Sequence, residues 1–152
     1  MTYISTKTYG HDVGLSACFR QWQADSHCRF LHGYALAVRL EFEADELDVR
    51  HWVVDYGGLK SLKGQLQDTL DHKLLVAGDD PFYTTFERLH EMGLADMVTV
   101  EATGCEALAK LIYEAADLWL FDAGYKPRVW MRSVEVREHG ANSAIYMPKG
   151  TK

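Results

Sequence analysis

The chain has 152 residues, enough for one domain with a real core, and 47% hydrophobic with 25% charged residues excludes a disordered polymer. The net charge of −6, with no stripe of Lys or Arg, argues against nucleic acid as a main partner. Cys18, Cys28 and Cys105 are odd in number and widely spaced, which argues against a disulfide framework and fits a reducing cytosol. Residues 1–10 are polar, and no apolar run approaches membrane length, so a soluble cytoplasmic protein with no membrane partner is expected.

Residues 2–11 carry Tyr and Thr at strand spacing. Residues 12–26, with Gly14 and Phe19-Arg20-Gln21-Trp22, read as a long loop with one helical turn. The stretch from His27 to Phe42 is the most informative. A thiol flanked by His27 and Arg29 leads through His32-Gly33 into a strict alternation. His32, Tyr34, Leu36, Val38, Leu40 and Phe42 share one face of a strand, and Gly33, Ala35, Ala37, Arg39, Glu41 and Glu43 the other. A nucleophile or base (Cys28) and a metal-ligand type (His32) therefore stand at the mouth of a half-buried strand, where a sheet presents reactive groups rigidly.

Trp52-Val53-Val54 reads as a short strand, and Asp55 as the cap of a helix whose Leu59, Leu62, Leu66 and Leu70 form one apolar stripe. Leu70-Asp71-His72 leaves that helix. After Asp79-Asp80-Pro81, residues 82–92 form a second short helix ended by Gly93, and residues 97–101 a short strand. Thr103 and Glu106 have capping-box spacing before a helix that aligns Leu108, Leu111, Ile112, Ala115 and Trp119 and stops at Gly124. Residues 127–138 and 144–147 supply the last strands, turning at Gly140-Ala141-Asn142. The long C-terminal strand has mixed faces, with Trp130, Val134 and Val136 sharing theirs with Arg128 and Arg132. This order, without repeats or a domain boundary, predicts a single α+β domain over residues 1–152 with a mainly antiparallel sheet.

Five stretches then occur in one order: Cys28-Arg29-Phe30-Leu31-His32-Gly33-Tyr34, Val53-Val54-Asp55-Tyr56-Gly57-Gly58-Leu59-Lys60, Leu70-Asp71-His72-Lys73-Leu74-Leu75, Glu106-Ala107-Leu108-Ala109 and Val134-Glu135-Val136-Arg137-Glu138. Together they resemble the 6-pyruvoyltetrahydropterin synthase and 6-carboxytetrahydropterin synthase family. The resemblance implies a tunnelling fold: a four-stranded antiparallel sheet with two helices on one face. Subunits join edge to edge into a homo-oligomeric barrel (trimer, tetramer or hexamer) with active sites at the interfaces. It implies Cys28 as general base, Asp71 and His72 as a proton relay, Glu138 as the anchor of a pterin ring, Glu106 as a further substrate contact, and zinc held by histidines.

The roles make chemical sense. A thiol is a base only as thiolate, a carboxylate orients an imidazole and stabilises its charged form, and a carboxylate can accept two hydrogen bonds from a pterin edge. The departures are equally specific. The second His of the family's His-Gly-His is Tyr34 here. Aligning Leu15-Ser16-Ala17-Cys18-Phe19 with the family's Phe-Ser-Ala-Ala-His puts Phe19 at the first ligand position, whereas aligning Tyr9-Gly10-His11 keeps a ligand. The second is preferred, giving His11 and His32 as zinc ligands with a third donor from His27, Tyr34 or water. The segment between His72 and Glu106 is also longer than the family needs. The implied reaction is that of 6-carboxytetrahydropterin synthase on 7,8-dihydroneopterin triphosphate, on a route to 7-deazaguanine compounds. The pyruvoyl-forming synthase, or a non-catalytic pterin- or purine-binding oligomer without metal, is the alternative.

Overall fold

A computed structural model describes residues 1–150, so the last two positions of the expected domain lie outside the described residues. Seven strands and three α-helices follow in the order β1 (Tyr3–Tyr9), β2 (Leu15–Phe19), β3 (His32–Ala44), α1 (Lys60–Leu70), β4 (Lys73–Ala77), α2 (Tyr83–Glu91), β5 (Met97–Val100), α3 (Cys105–Asp122), β6 (Val129–His139) and β7 (Asn142–Tyr146). The expected α+β class holds, but the sheet has seven strands, not four. An antiparallel set β1–β3–β6–β7 is present, and β2, β4 and β5 extend it. Those extra strands pair β2–β4 and β4–β5 in parallel. Their short apolar runs carry little alternation, because β4 is buried on both faces.

β3 alternates as expected, and one edge of it is served by β1 and β2 in turn. Tyr9 lies opposite Val38 and Leu15 opposite Leu36, so residues 10–14 face Ala37 alone. A 3-10 turn at His11–Val13 takes up the excess, closed by Gly14 in the left-handed region at φ 77°. The interruption is what made residues 12–26 read as loop. It also corrects the preferred alignment, since Phe19, not His11, lies opposite His32.

Two layers cover the sheet. Leu62, Leu66 and Leu70 of α1 and Leu108, Ile112, Ala116 and Leu120 of α3 pack with Phe19, Leu36, Leu40, Phe42, Val134 and Val136 in one core. Leu74 and Val76 point the other way and meet Phe86 of α2 in a second, smaller cluster. The mixed faces of β6 have a local cause. A register shift opposite Glu41 and Phe42 moves the buried series from Val129 and Met131 to Val134 and Val136. Glu138, two residues further on, continues the series on the core side.

Two local expectations fail. Trp52-Val53-Val54 forms no strand, because the Arg128 guanidinium donates to the Trp52 and Val53 carbonyls that a neighbouring strand would otherwise satisfy. Thr103 and Glu106 form no capping box. Gly104 is the N-cap of α3, without a side-chain cap, and Thr103 Oγ1 donates to the Arg20 carbonyl at 2.6 Å. That bond, with the ion pair between Arg20 and the buried Asp80 (2.7 Å), ties the exit of β2 to the long segment around α2.

A Cβ on Gly33 would lie 2.7 Å from the Ala17 carbonyl oxygen of the paired strand, so Gly33→Ala must push backbone apart. We expect a loss of about 1–3 kcal/mol, read as a lower denaturant midpoint at unchanged slope, and an unmoved midpoint contradicts it. Hydrogen bonds from the Arg20 guanidinium hold the Asp80 carboxyl below the usual range. A depressed folded pKa stabilises the fold above the unfolded value of about 3.9 and loses that contribution as pH falls through the folded value. The thermal midpoints of wild type and Asp80→Asn should therefore differ at pH 7 and converge below about pH 4. A gap that stays constant with pH argues against the assignment.

Candidate active site

Cys28 sits in a 3-10 turn, His27–Arg29, whose preceding Ser26 accepts the Cys28 N–H at 3.4 Å. The turn ends where β3 begins, so the thiol hangs beside the open end of the sheet. Arg29 donates to the carbonyls of Asp25 and Ser26 and stacks its guanidinium over Phe30 at 4.4 Å. His27 is exposed. Cys28 also lines a cavity of about 460 Å³ walled by Trp22, Asp79, Glu101 and Thr103. The long segment after His72 thus has a place in the site: its Asp79 accepts the Trp22 indole N–H at 3.2 Å and holds that wall.

Behind Cys28 a second group converges from three elements. β3 brings Tyr34, the register shift in β6 brings Glu138, and the first residue of α3 brings Cys105. The Tyr34 phenol is pushed up from its ordinary pKa by burial first, then by the nearby Glu138 carboxylate, with Cys28 and Cys105 adding to the effect. Cys105 is pushed up to about 12, by burial first and by Glu138 and Glu106 next. Burial raises Cys18 as well. Both stay thiols at neutral pH. The sequence offered no sign of Cys105, whose role depends on meeting Glu138 across the fold. Glu106 lies exposed in the first turn of α3, one residue beyond.

Asp71 and His72 are paired as expected, with His72 Nδ1 2.8 Å from Asp71 Oδ1. The hydrogen bond from His72, and next a backbone one from Ser16, hold the Asp71 carboxyl below its usual range. His72 adopts φ 58°, a left-handed conformation uncommon outside glycine, and its N–H donates to the Ser16 carbonyl at 2.6 Å. The pair is thus fixed to β2. His72 stands, however, with Ser16, Cys18 and Gly33 around another cavity, on the face of β2 and β3 opposite to Phe19, His32 and Tyr34. Within one chain, Cys28 and His72 line different cavities.

The two expected zinc ligands do not meet. His11 lies in the turn between β1 and β2, its Nδ1 2.5 Å from the Ala35 carbonyl, three residues along β3 from His32 and so about 10 Å away. His32 is surrounded by rings: its centroid is 5.4 Å from that of Phe19 and 5.5 Å from that of Tyr34. A zinc ion needs three or four N, S or O donors at about 2.0–2.3 Å. Among the described residues no three of His, Cys, Asp or Glu gather in a group that could hold a metal. The donor set does not fit the ion that the resemblance implies.

Comparison with known proteins agrees with the architecture. The family model described as 6-pyruvoyl tetrahydropterin synthase matches residues 11–149. The chain is 28% identical to the 6-carboxy-5,6,7,8-tetrahydropterin synthase of Aquifex aeolicus over 136 residues, 88% of this chain and 83% of the relative. Among solved structures, an uncharacterized protein of Wolinella succinogenes superposes with a TM-score of 0.78 at 22% identity, covering 98% of this chain and 99% of that one. The 6-pyruvoyl tetrahydropterin synthase of Plasmodium falciparum superposes with a TM-score of 0.63 at 15% identity, covering 95% and 96%. At those identities the likeness speaks for the fold alone. The family match spans nearly the whole chain and includes every candidate residue named above: the chain belongs to the 6-pyruvoyl tetrahydropterin synthase family.

Proposed function

We propose that the chain is a lyase of pterin metabolism that converts 7,8-dihydroneopterin triphosphate to 6-carboxytetrahydropterin. Family membership and the Aquifex aeolicus relative support the class. The observation that carries the reading is the convergence of Cys28 and Glu138 on Tyr34 from separate elements. Glu138 accepts the ring N–H and exocyclic amine of the pterin, and its half-buried position strengthens both bonds. Cys28, as thiolate, takes a proton from the carbon framework of the side chain. No Lys or Arg lines the cavity beside Cys28, while Asp79 and Glu101 do, so the triphosphate points out of it.

His72 returns a proton, with Asp71 holding its orientation. That pair stands on the other face of the sheet, so each Cys28 works with the relay of a neighbouring subunit in a closed homo-oligomer. Among the described residues β1 pairs only with β3 and β7 only with β6, which leaves each a free edge for a second copy. The ring cluster around His32 favours a second reading, a pterin-binding oligomer without turnover, and product formation separates the two.

Incubation with 7,8-dihydroneopterin triphosphate should release triphosphate, and Cys28→Ala should slow that by about 10²- to 10⁴-fold while pterin binding persists. Turnover at the wild-type rate in Cys28→Ala returns the thiol to a packing role. Inactive Cys28→Ala and His72→Ala oligomers, dissociated and reassembled together, should regain activity, because some mixed sites hold both wild-type groups. Assembled mixtures that stay inactive contradict a site shared between subunits.

A further inference from the structure

The pairing of β2 with β3 fixes the place to which the resemblance assigns zinc. Phe19 lies directly opposite His32, and Tyr34 follows two residues later on the same face. The three ring centroids stand 5.4, 5.5 and 6.2 Å apart. Three imidazoles on one tetrahedral zinc, each nitrogen about 2.0–2.1 Å from the ion, hold their ring centroids about 5 Å apart. The backbone here therefore has close to the spacing of a three-histidine site, although only one of the three rings is an imidazole.

The donors at those positions do not match the spacing. Phe19 is completely buried, belongs to the main core and offers no donor atom. Zinc takes thiolate, imidazole and carboxylate donors, and the Tyr34 phenol is none of these. His32 Nδ1 lies 2.7 Å from the Phe30 carbonyl, which can only accept, so Nδ1 carries the proton and Nε2 alone has a lone pair to give. A fourth ring, His139, stands 6.1 Å from Tyr34, but the Ala141 N–H donates to its Nδ1 at 3.2 Å and the Asn142 amide faces its Nε2 at 3.3 Å. His32 and Tyr34 meet edge to face at 89°, an arrangement of rings that is attractive in itself.

We infer that these rings hold the end of the sheet by packing, at the place where the family resemblance puts a metal, and that the chain binds no zinc there and acts without one. This holds whichever substrate the chain takes. One donor falls short of the three or four that zinc needs. Three rings in contact are held instead by burial and by ring geometry, which a chelator does not touch. Two exchanges, Phe19→His and Tyr34→His, would supply the missing imidazoles at the spacing already present.

The full chain, stripped with chelator, is titrated with zinc chloride by calorimetry beside His32→Ala and Phe19→His/Tyr34→His, and each is melted with and without zinc. Wild type should take up no stoichiometric zinc at micromolar concentration, and neither chelator nor zinc should move its thermal midpoint. The double variant should take up about one zinc per chain and melt higher with it. One zinc per chain in wild type, lost in His32→Ala, overturns the inference. A folded double variant that binds none overturns the claim that donors alone are missing. Where the buried Phe19 does not tolerate the exchange, Tyr34→His alone should bind zinc about tenfold more tightly than wild type, and equal affinity overturns the same claim. Triphosphate release from 7,8-dihydroneopterin triphosphate by stripped wild type should not change with added zinc, and release that requires zinc contradicts metal-free action. No release under either condition removes the proposed substrate, and the zinc titration still decides the ring cluster.

Discussion

The hydrogen-bonded pairing of β3 along both edges is the constraint on which the rest depends. One edge is paired first with β2 and then with β1, the other with β6, so every residue of β3 has its side assigned by a period of two. A slip by one residue would carry Leu36, Val38, Leu40 and Phe42 out of the core, which makes the register costly to change. Because the register is held, His32 and Tyr34 stand on the helix-covered side and Gly33 and Ala35 on the other. Site chemistry is thereby sorted between the two faces of one strand.

Two irregularities deliver the partners. Residues 10–14 fold away against Ala37, which shifts β2 relative to β1 and brings Phe19 opposite His32. The register shift in β6 moves its buried series, which brings Glu138 toward Tyr34. Neither irregularity adds core, and both re-aim side chains near the site, as such interruptions in sheets commonly do. The segment around α2 contributes differently: it closes a wall beside Cys28 through the Arg20–Asp80 pair and the bond from Trp22 to Asp79.

Much of this was legible in the sequence where a pattern is local. The alternation of β3, the leucine stripe of α1, the short α2 and the stop of α3 at Gly124 all appear as expected. What was not legible depends on partners far along the chain. β2 hid behind Gly10 and Gly14, whose turn resembles the end of a strand. Val53 and Val54 looked like a strand, because nothing local announces that Arg128 serves their backbone. Asp71-His72 looked like the companion of Cys28, and only the fold shows Cys28 and His72 at different cavities. For the site, the carboxylate, thiol and imidazole types were readable. Their grouping was not, since it follows from register.

On this reading the Cys28 side of β3, with Glu138 at its end, receives a pterin. A crystal structure of the oligomer with bound 7,8-dihydroneopterin tests it most directly. We expect the ring edge hydrogen-bonded to the Glu138 carboxylate, with its side chain toward Cys28 and His72 of an adjoining subunit nearby. A pterin seated away from Glu138, or a site completed by a single chain, would contradict it.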